Sequence, residues 1–218
     1  MQVSRRSIQA PSSVVMIRPR LFMPNPETAV DNKFQSKASH LADSAIAQAA
    51  YNEVTQAVVR LETEGVRVYL FEDLGNNDTP DSVFPNNWFS THTGGHIAIY
   101  PMYSPNRRWE RRNDVIEMLK KEYRVQGVID YSGLEADGLF LEGTGTMVFD
   151  HLSRIAFTAR SNRADPIAYR ASGASAGANR RTGRGICALY DRRDPPFAAH
   201  ITNLHLLIKW PPDDTAEK

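Results

Sequence analysis

A strand–strand–helix–strand order recurs along this chain at a period of about 60 residues, and a period of that kind confines the fold to a propeller or an array of like units. In the middle copy, residues 83–91 and 96–100 read as strands joined at Gly94-Gly95, a hairpin signal. Ser104-Pro105 then supplies an N-cap and a proline at the first helical position. That helix runs to about Glu122, with Val115, Ile116 and Leu119 as its apolar face, and residues 123–129 read as the next strand. The order starts again downstream: residues 145–149 and 154–159 read as a second hairpin, joined at His151-Leu152-Ser153, and Asp165-Pro166 opens another helix. Trp88 and Val148 hold similar places in the two copies, 60 residues apart. An earlier copy fits upstream, where a helix over 44–64, stopped by Gly65, lies between strands at 13–17 and 66–71.

The pattern breaks near Arg170. Residues 171–185 are built from Ala, Ser, Gly, Asn, Arg and Thr alone, a composition that predicts a flexible segment with nothing to bury. Only residues 186–189 and 201–208 are apolar beyond it, and Pro211-Pro212 with an acidic tail closes the chain. The sequence therefore divides into a repeat-built part, 1–170, and a low-complexity tail, 171–218, that is divergent or out of frame.

Composition excludes several classes of function. The 218 residues carry 26 Lys+Arg against 25 Asp+Glu, without the basic excess of a nucleic-acid binder. One cysteine cannot form an internal disulfide, and no apolar run reaches the roughly 20 residues of a membrane span. Residues 1–11 lack the apolar stretch of a signal peptide. The expectation is a soluble, cytoplasmic protein with no nucleic-acid and no membrane partner.

Chemistry-bearing residues lie on the loops and strand ends of the repeats. Asp81 leads into Ser82-Val83-Phe84-Pro85-Asn86-Asn87-Trp88-Phe89. A carboxylate beside paired amides and aromatics suits a planar, cationic, hydrogen-bonding head such as a guanidinium; the same residues also build ordinary turns. Glu142 follows three apolar residues and precedes Gly143-Thr144-Gly145, where glycines let a ligand come close to the backbone. It suits gripping a cation or moving a proton, and equally a surface carboxylate entering a turn. The Gly-x-Gly there lacks the remainder of a dinucleotide fingerprint. Arg107, Arg108, Arg111 and Arg112 form a row around Trp109 and Glu110, which reads as a solvated helix face more readily than as an anion site. His92 and His96 are separated by Gly94-Gly95 and read as hairpin surface residues, so no metal site is expected. Cys187 reads as an incidental thiol, since nothing in the sequence places a base beside it.

Taken in order, the segments 25–32 (Asn-Pro-Glu-Thr-Ala-Val-Asp-Asn), 80–92 (Pro-Asp-Ser-Val-Phe-Pro-Asn-Asn-Trp-Phe-Ser-Thr-His), 100–102 (Tyr-Pro-Met), 106–112 (Asn-Arg-Arg-Trp-Glu-Arg-Arg) and 141–148 (Leu-Glu-Gly-Thr-Gly-Thr-Met-Val) resemble a known group. It is the amidinotransferase-like, arginine-deiminase-related superfamily that includes citrulline-utilisation hydrolases. The resemblance spans residues 13 to about 170 and implies an α/β fold, a five-bladed α/β propeller (pentein), with about three of five units present here. It implies cofactor-free attack by a cysteine on a guanidino or ureido carbon, with a histidine as acid and base, and a small-molecule substrate of the arginine or citrulline kind. By the same resemblance Glu142 is the catalytic-type carboxylate and Asp81 grips the substrate; Asn86 and Asn87, the paired amides beside Asp81, are read as substrate-binding with it. The late His-Thr-Asn element and cysteine of the group do not carry over. His200 is followed by Ile201-Thr202-Asn203, off by an insertion, and Cys187 precedes it. The expected function is a hydrolase or amidinotransferase acting on arginine or citrulline, this chain being incomplete. The alternative is a catalytically dead ligand-binding relative or a non-functional fragment.

Overall fold

A computed structural model describes residues 11–29, 43–92, 95–150, 155–159, 161–171, 175–178 and 186–190. The first unit is a strand, β1 (Ser13–Pro19), a helix, α1 (Asp43–Thr63), and a strand, β2 (Arg67–Asp73), parallel to β1 with Ser13 opposite Arg67 and Pro19 opposite Asp73. The two-residue period of β1 explains its burial on both faces. Val14 and Met16 pack with Val54 and Val58 of α1, while Val15 and Ile17 join a second cluster on the other side. Gly65 ends α1 as expected; its φ of 82° turns the chain so that the Val66 N–H reaches back to the Leu61 carbonyl at 2.9 Å.

In the second unit β3 (Phe89–His92) and β4 (His96–Ile99) form an antiparallel hairpin, Phe89 opposite Ile99 and His92 opposite His96. After α2 (Asn113–Glu122), β5 (Gly127–Asp130) lies parallel to β4. Val115, Ile116 and Leu119 of α2 are buried, as their spacing predicts, with Val15, Ile17, Trp88, Phe89, Ile97 and Met102. The third unit opens with a single turn, α3 (Gly143–Thr146), then the antiparallel pair β6 (Met147–Asp150) and β7 (Ile155–Ala159), then α4 (Pro166–Ala171). Two further strands, β8 (Ser175–Ala178) and β9 (Ile186–Tyr190), complete a four-stranded sheet in the order β6-β7-β9-β8. The described residues are thus α/β, with three separate sheets among them and hairpin–helix connectivity repeated in the second and third units.

Several expectations need correction. The strand expected over 83–91 begins only at Phe89, because residues 79–84 form successive turns and Pro85–Asn87 a 3₁₀ turn that starts on a proline lacking an N–H. The single helix expected from Pro105 to Glu122 is two: a 3₁₀ helix over Pro105–Glu110, then α2. Arg111 and Arg112 between them are extended, since the Arg111 side chain donates to the Tyr100 carbonyl at 3.1 Å and that of Arg112 to the Glu72 carbonyl at 2.6 Å. Those tertiary bonds override helical propensity. The strand expected over 123–129 is confined to Gly127–Asp130. Trp88 and Val148 are not equivalent: Trp88 is 1 % exposed and Val148 62 %. The flexible segment expected over 171–185 contains β8, which pairs antiparallel with β9. The rest of that segment beyond α4, the Gly94 half of the first hairpin turn, the second hairpin turn at 151–153, His200 and the apolar run at 201–208 lie outside the described residues. Among the described residues, no helix is long and apolar enough to cross a membrane.

Candidate active site

Asp81 sits in the turns that precede β3, where the Phe84 N–H bonds back to the Asp81 carbonyl at 3.0 Å. Its side chain is 14 % exposed, and Oδ2 accepts from the Asn25 amide at 2.8 Å. Asn25, 1 % exposed, is fixed in turn by Asn106, whose amide donates to Asn25 Oδ1 at 2.9 Å. The proline-rich segment at 24–28 therefore serves as a clamp that holds the Asp81 carboxylate from behind.

Arg107 lies next to it and overturns the reading of the arginine row as a solvated face. It is 2 % exposed. Nε and Nη2 donate to the two carboxylate oxygens of Glu110 at 2.9 and 3.0 Å, and Nη1 donates to Glu142 Oε2 at 3.4 Å. Nε also stands 3.6 Å from Asp81 Oδ2. The other arginines of the row are engaged as well: Arg108 with the Met102 and Tyr103 carbonyls, Arg111 with Glu135, and Arg112 with Asp114. Only Trp109 between them is turned outward, at 70 % exposed.

Glu142 is fully enclosed, at 0 % exposed. Besides Arg107 it faces Arg163, whose Nη1 is 3.5 Å from Oε2, and it accepts the Tyr103 N–H at 3.3 Å. Its own N–H bonds to the Arg163 carbonyl at 3.0 Å, so backbone and side chain together tie Glu142 to the segment before α4. The glycines after it let the chain, rather than a ligand, come close. A Cβ on Gly143 would lie 2.4 Å from the Asn86 carbonyl oxygen, and one on Gly145 would lie 2.2 Å from Asn87 Oδ1. Asn86 and Asn87 are 5 % and 6 % exposed, and the Asn86 amide donates to Asn87 Oδ1 and Thr144 Oγ1, each at 3.1 Å. These two amides thus pin the α3 turn against the loop carrying Asp81.

Electrostatics follow from burial. Among the described residues, Asp81, Glu110 and Glu142 share Arg107 and Arg163, three carboxylates against two guanidiniums. Burial pushes Glu110 up to about 7 against the opposing pull of Arg107, with Asp81 and Glu142 adding to the rise. Burial also raises Glu142, countered by Arg107 and Arg163. Burial alone would make Arg107 easier to deprotonate, but its carboxylates outweigh that and hold it protonated. A buried ionic cluster of this kind is weak evidence for stability, and carboxylates perturbed in this way gather at functional sites.

The structure brings Asp81 and Glu142 to one guanidinium although they are 61 positions apart in sequence. It places Asn86 and Asn87 under them as buried supports. Sequence reasoning missed the burial of Arg107, the role of Glu110 and the part played by Arg163. The spacing Arg-x-x-Glu was a signal for the first two, since it matches one 3₁₀ turn; no sequence signal marked Arg163. His92, expected on the hairpin surface, has its Nε2 2.7 Å from Oγ of buried Ser90, which is itself 2.6 Å from the Tyr100 hydroxyl. Cys187 lies in β9, in register with Thr158 of β7 and Ala178 of β8.

No curated protein matches the chain. One solved structure similar to it is the N-terminal domain of ArgZ, an arginine dihydrolase from cyanobacteria, in a cysteine-to-serine mutant bound to substrate. The likeness has a TM-score of 0.47 at 15 % identity; it covers 74 % of this chain and 53 % of that one, so this chain spans about half the length of ArgZ's domain. Residues 18–177 match the model of the eukaryotic N,N-dimethylarginine dimethylhydrolase family. The matched region takes in the Asn25 clamp, Asp81, the 3₁₀ turn of Arg107 and Glu110, Glu142 and Arg163. The chain belongs to that arginine-deiminase-related family.

Proposed function

We propose that this chain is an arginine-directed hydrolase of carbon–nitrogen bonds, binding a free guanidino or ureido amino acid such as arginine, N,N-dimethylarginine or citrulline. The observation that carries the reading is the gathering of Asp81, Glu110 and Glu142 around Arg107, with one carboxylate more than the guanidiniums that face them. Above about pH 7, where Glu110 is ionised, an added cationic head balances that charge. Asp81, the one of the three that is partly exposed, at 14 %, is the group that holds it by charge-assisted hydrogen bonds. Glu142 acts from behind, as the buried counterion that sets Arg107 and Arg163. Asn86 and Asn87 contribute by fixing the turn that carries Glu142.

The wider frame is a five-bladed α/β propeller of which residues 1–170 supply about three units, with 171–218 divergent or out of frame in sequence although β8 and β9 join the sheet of the third unit. The motif order and the recurring hairpin–helix connectivity support it. By family resemblance the chemistry needs no cofactor. Hydrolysis requires a thiolate to attack the guanidino carbon, expulsion of the amine, and water to release the product. The only cysteine precedes His200, the reverse of the order that the resemblance calls for. That order favours a second reading, ligand binding without turnover. The two are separated by incubating the chain with arginine or N,N-dimethylarginine and assaying citrulline and released ammonia or dimethylamine. Product released on binding is what the hydrolase reading expects, and binding with no product is what the second reading expects; turnover that vanishes in Cys187→Ala contradicts the second reading and makes Cys187 the nucleophile.

A further inference from the structure

Glu110 stands behind the carboxylates assigned to the ligand and holds the group at their centre. We propose that Glu110 is a positioning residue that keeps Asp81 available to a ligand by holding the Arg107 guanidinium away from it. The proposal rests on the reading of Asp81 as the ligand-gripping carboxylate.

A guanidinium offers its donors along forked edges, and a carboxylate that takes one edge with both oxygens saturates it. Glu110 takes the Nε–Nη2 edge in this way, at 2.9 and 3.0 Å. Nη1 is left for Glu142 at 3.4 Å. Asp81 receives from Arg107 only a 3.6 Å approach to Nε, outside hydrogen-bond distance. Its Oδ2 is held instead by the neutral Asn25 amide at 2.8 Å. Of the carboxylates around Arg107, Asp81 is thus the least neutralised by it and the most exposed, at 14 % against 0 % for Glu110 and Glu142.

Without the Glu110 carboxylate, the Nε–Nη2 edge faces Asp81 as its nearest remaining acceptor. A fork from Arg107 onto Asp81 would put an internal guanidinium where the ligand's own head has to bind. Local structure prevents this. Arg107 and Glu110 are three residues apart in the Pro105–Glu110 turn, and in a 3₁₀ helix side chains at that spacing stack over one another. This pairing also gives the segment a reason to be 3₁₀ and separate from α2.

The test uses the full chain, calorimetric titration with arginine at pH 8, thermal melts, and a crystal structure of Glu110→Gln. Glu110→Gln keeps the shape and removes the charge. It is expected to fold, to bind arginine at least about tenfold more weakly, the equivalent of one charge-assisted hydrogen bond, and to show Arg107 turned onto Asp81. Glu110→Asp keeps the charge with a shorter reach and is expected to fall between wild type and Glu110→Gln. A merely structural role would lower the melting temperature without moving Arg107 onto Asp81. Wild-type affinity in a folded Glu110→Gln, or in Glu110→Asp where the first does not fold, overturns the proposal. So does an unmoved Arg107 in the Glu110→Gln structure. Absence of arginine binding by the wild type is a different result, which overturns the reading of Asp81 itself and the proposal with it.

Discussion

Replacing Glu110 by Gln should change how stability depends on pH, in a direction that the buried cluster fixes. Glu110 is displaced from an ordinary 4.5 to about 7, first by burial, with Asp81 and Glu142 reinforcing and Arg107 opposing. A carboxyl raised in the folded state binds its proton more tightly there than in the unfolded chain. Its contribution is therefore full below about pH 4.5 and is lost as pH rises through about 7. A displacement of that size is worth on the order of 3 kcal/mol. Gln cannot titrate, so the wild-type stability minus that of Glu110→Gln should fall by about 2–3 kcal/mol between pH 5 and 8. Taking the difference cancels the carboxylates outside the cluster, which are common to both chains. Urea unfolding followed by tryptophan fluorescence suits the measurement, since Trp88 is 1 % exposed in the folded chain and exposed on unfolding. A difference that stays flat across this range, or that grows with pH, would refute the reasoning: Glu110 would then be ionised throughout and the cluster less enclosed than its geometry indicates.

Two further substitutions probe the scaffold. Leu119→Ala, at a position 1 % exposed in the cluster under α2, should cost about 2–5 kcal/mol in urea unfolding, and a cost near zero would mean that α2 is not packed on β1 and β4. Gly143→Ala should destabilise by more than about 1 kcal/mol because its Cβ would lie 2.4 Å from the Asn86 carbonyl oxygen, whereas Gly133→Ala, with nothing within 4 Å, should be neutral or slightly stabilising; equal effects would show that the α3 turn is not pinned as described.

The parts of the fold legible in the sequence are those where one periodicity governs. Apolar residues three and four positions apart give α1 its buried Val54 and Val58 and α2 its buried Val115, Ile116 and Leu119, although α2 begins at Asn113 and not at Pro105. The boundaries that moved are held by long-range bonds. Arg112 reaches the Glu72 carbonyl 40 positions away, and no local pattern announces that this pair will stop a helix. The same physics divides the site. Asp81 was legible as a carboxylate beside paired amides and aromatics, and Glu142 as one at a strand end before glycines, and the fold brings both to Arg107. Arg107 itself was not legible, because a row of four arginines looks solvated until three carboxylates from three separate segments close around one of them. Asn86 and Asn87 were legible as a polar pair beside Asp81, but their burial against Gly143 and Gly145 depends on a turn 57 or more positions away.

In the proposed site Asp81 is the carboxylate that receives a guanidinium. Calorimetric titration of arginine into the wild-type chain and into Asp81→Asn measures this directly. Losing one charge-assisted fork should weaken binding by at least about tenfold, with the melting temperature little changed because Asn25 can still pair with the new amide. Equal affinity in the two chains, or no arginine binding by a folded wild type, would contradict it.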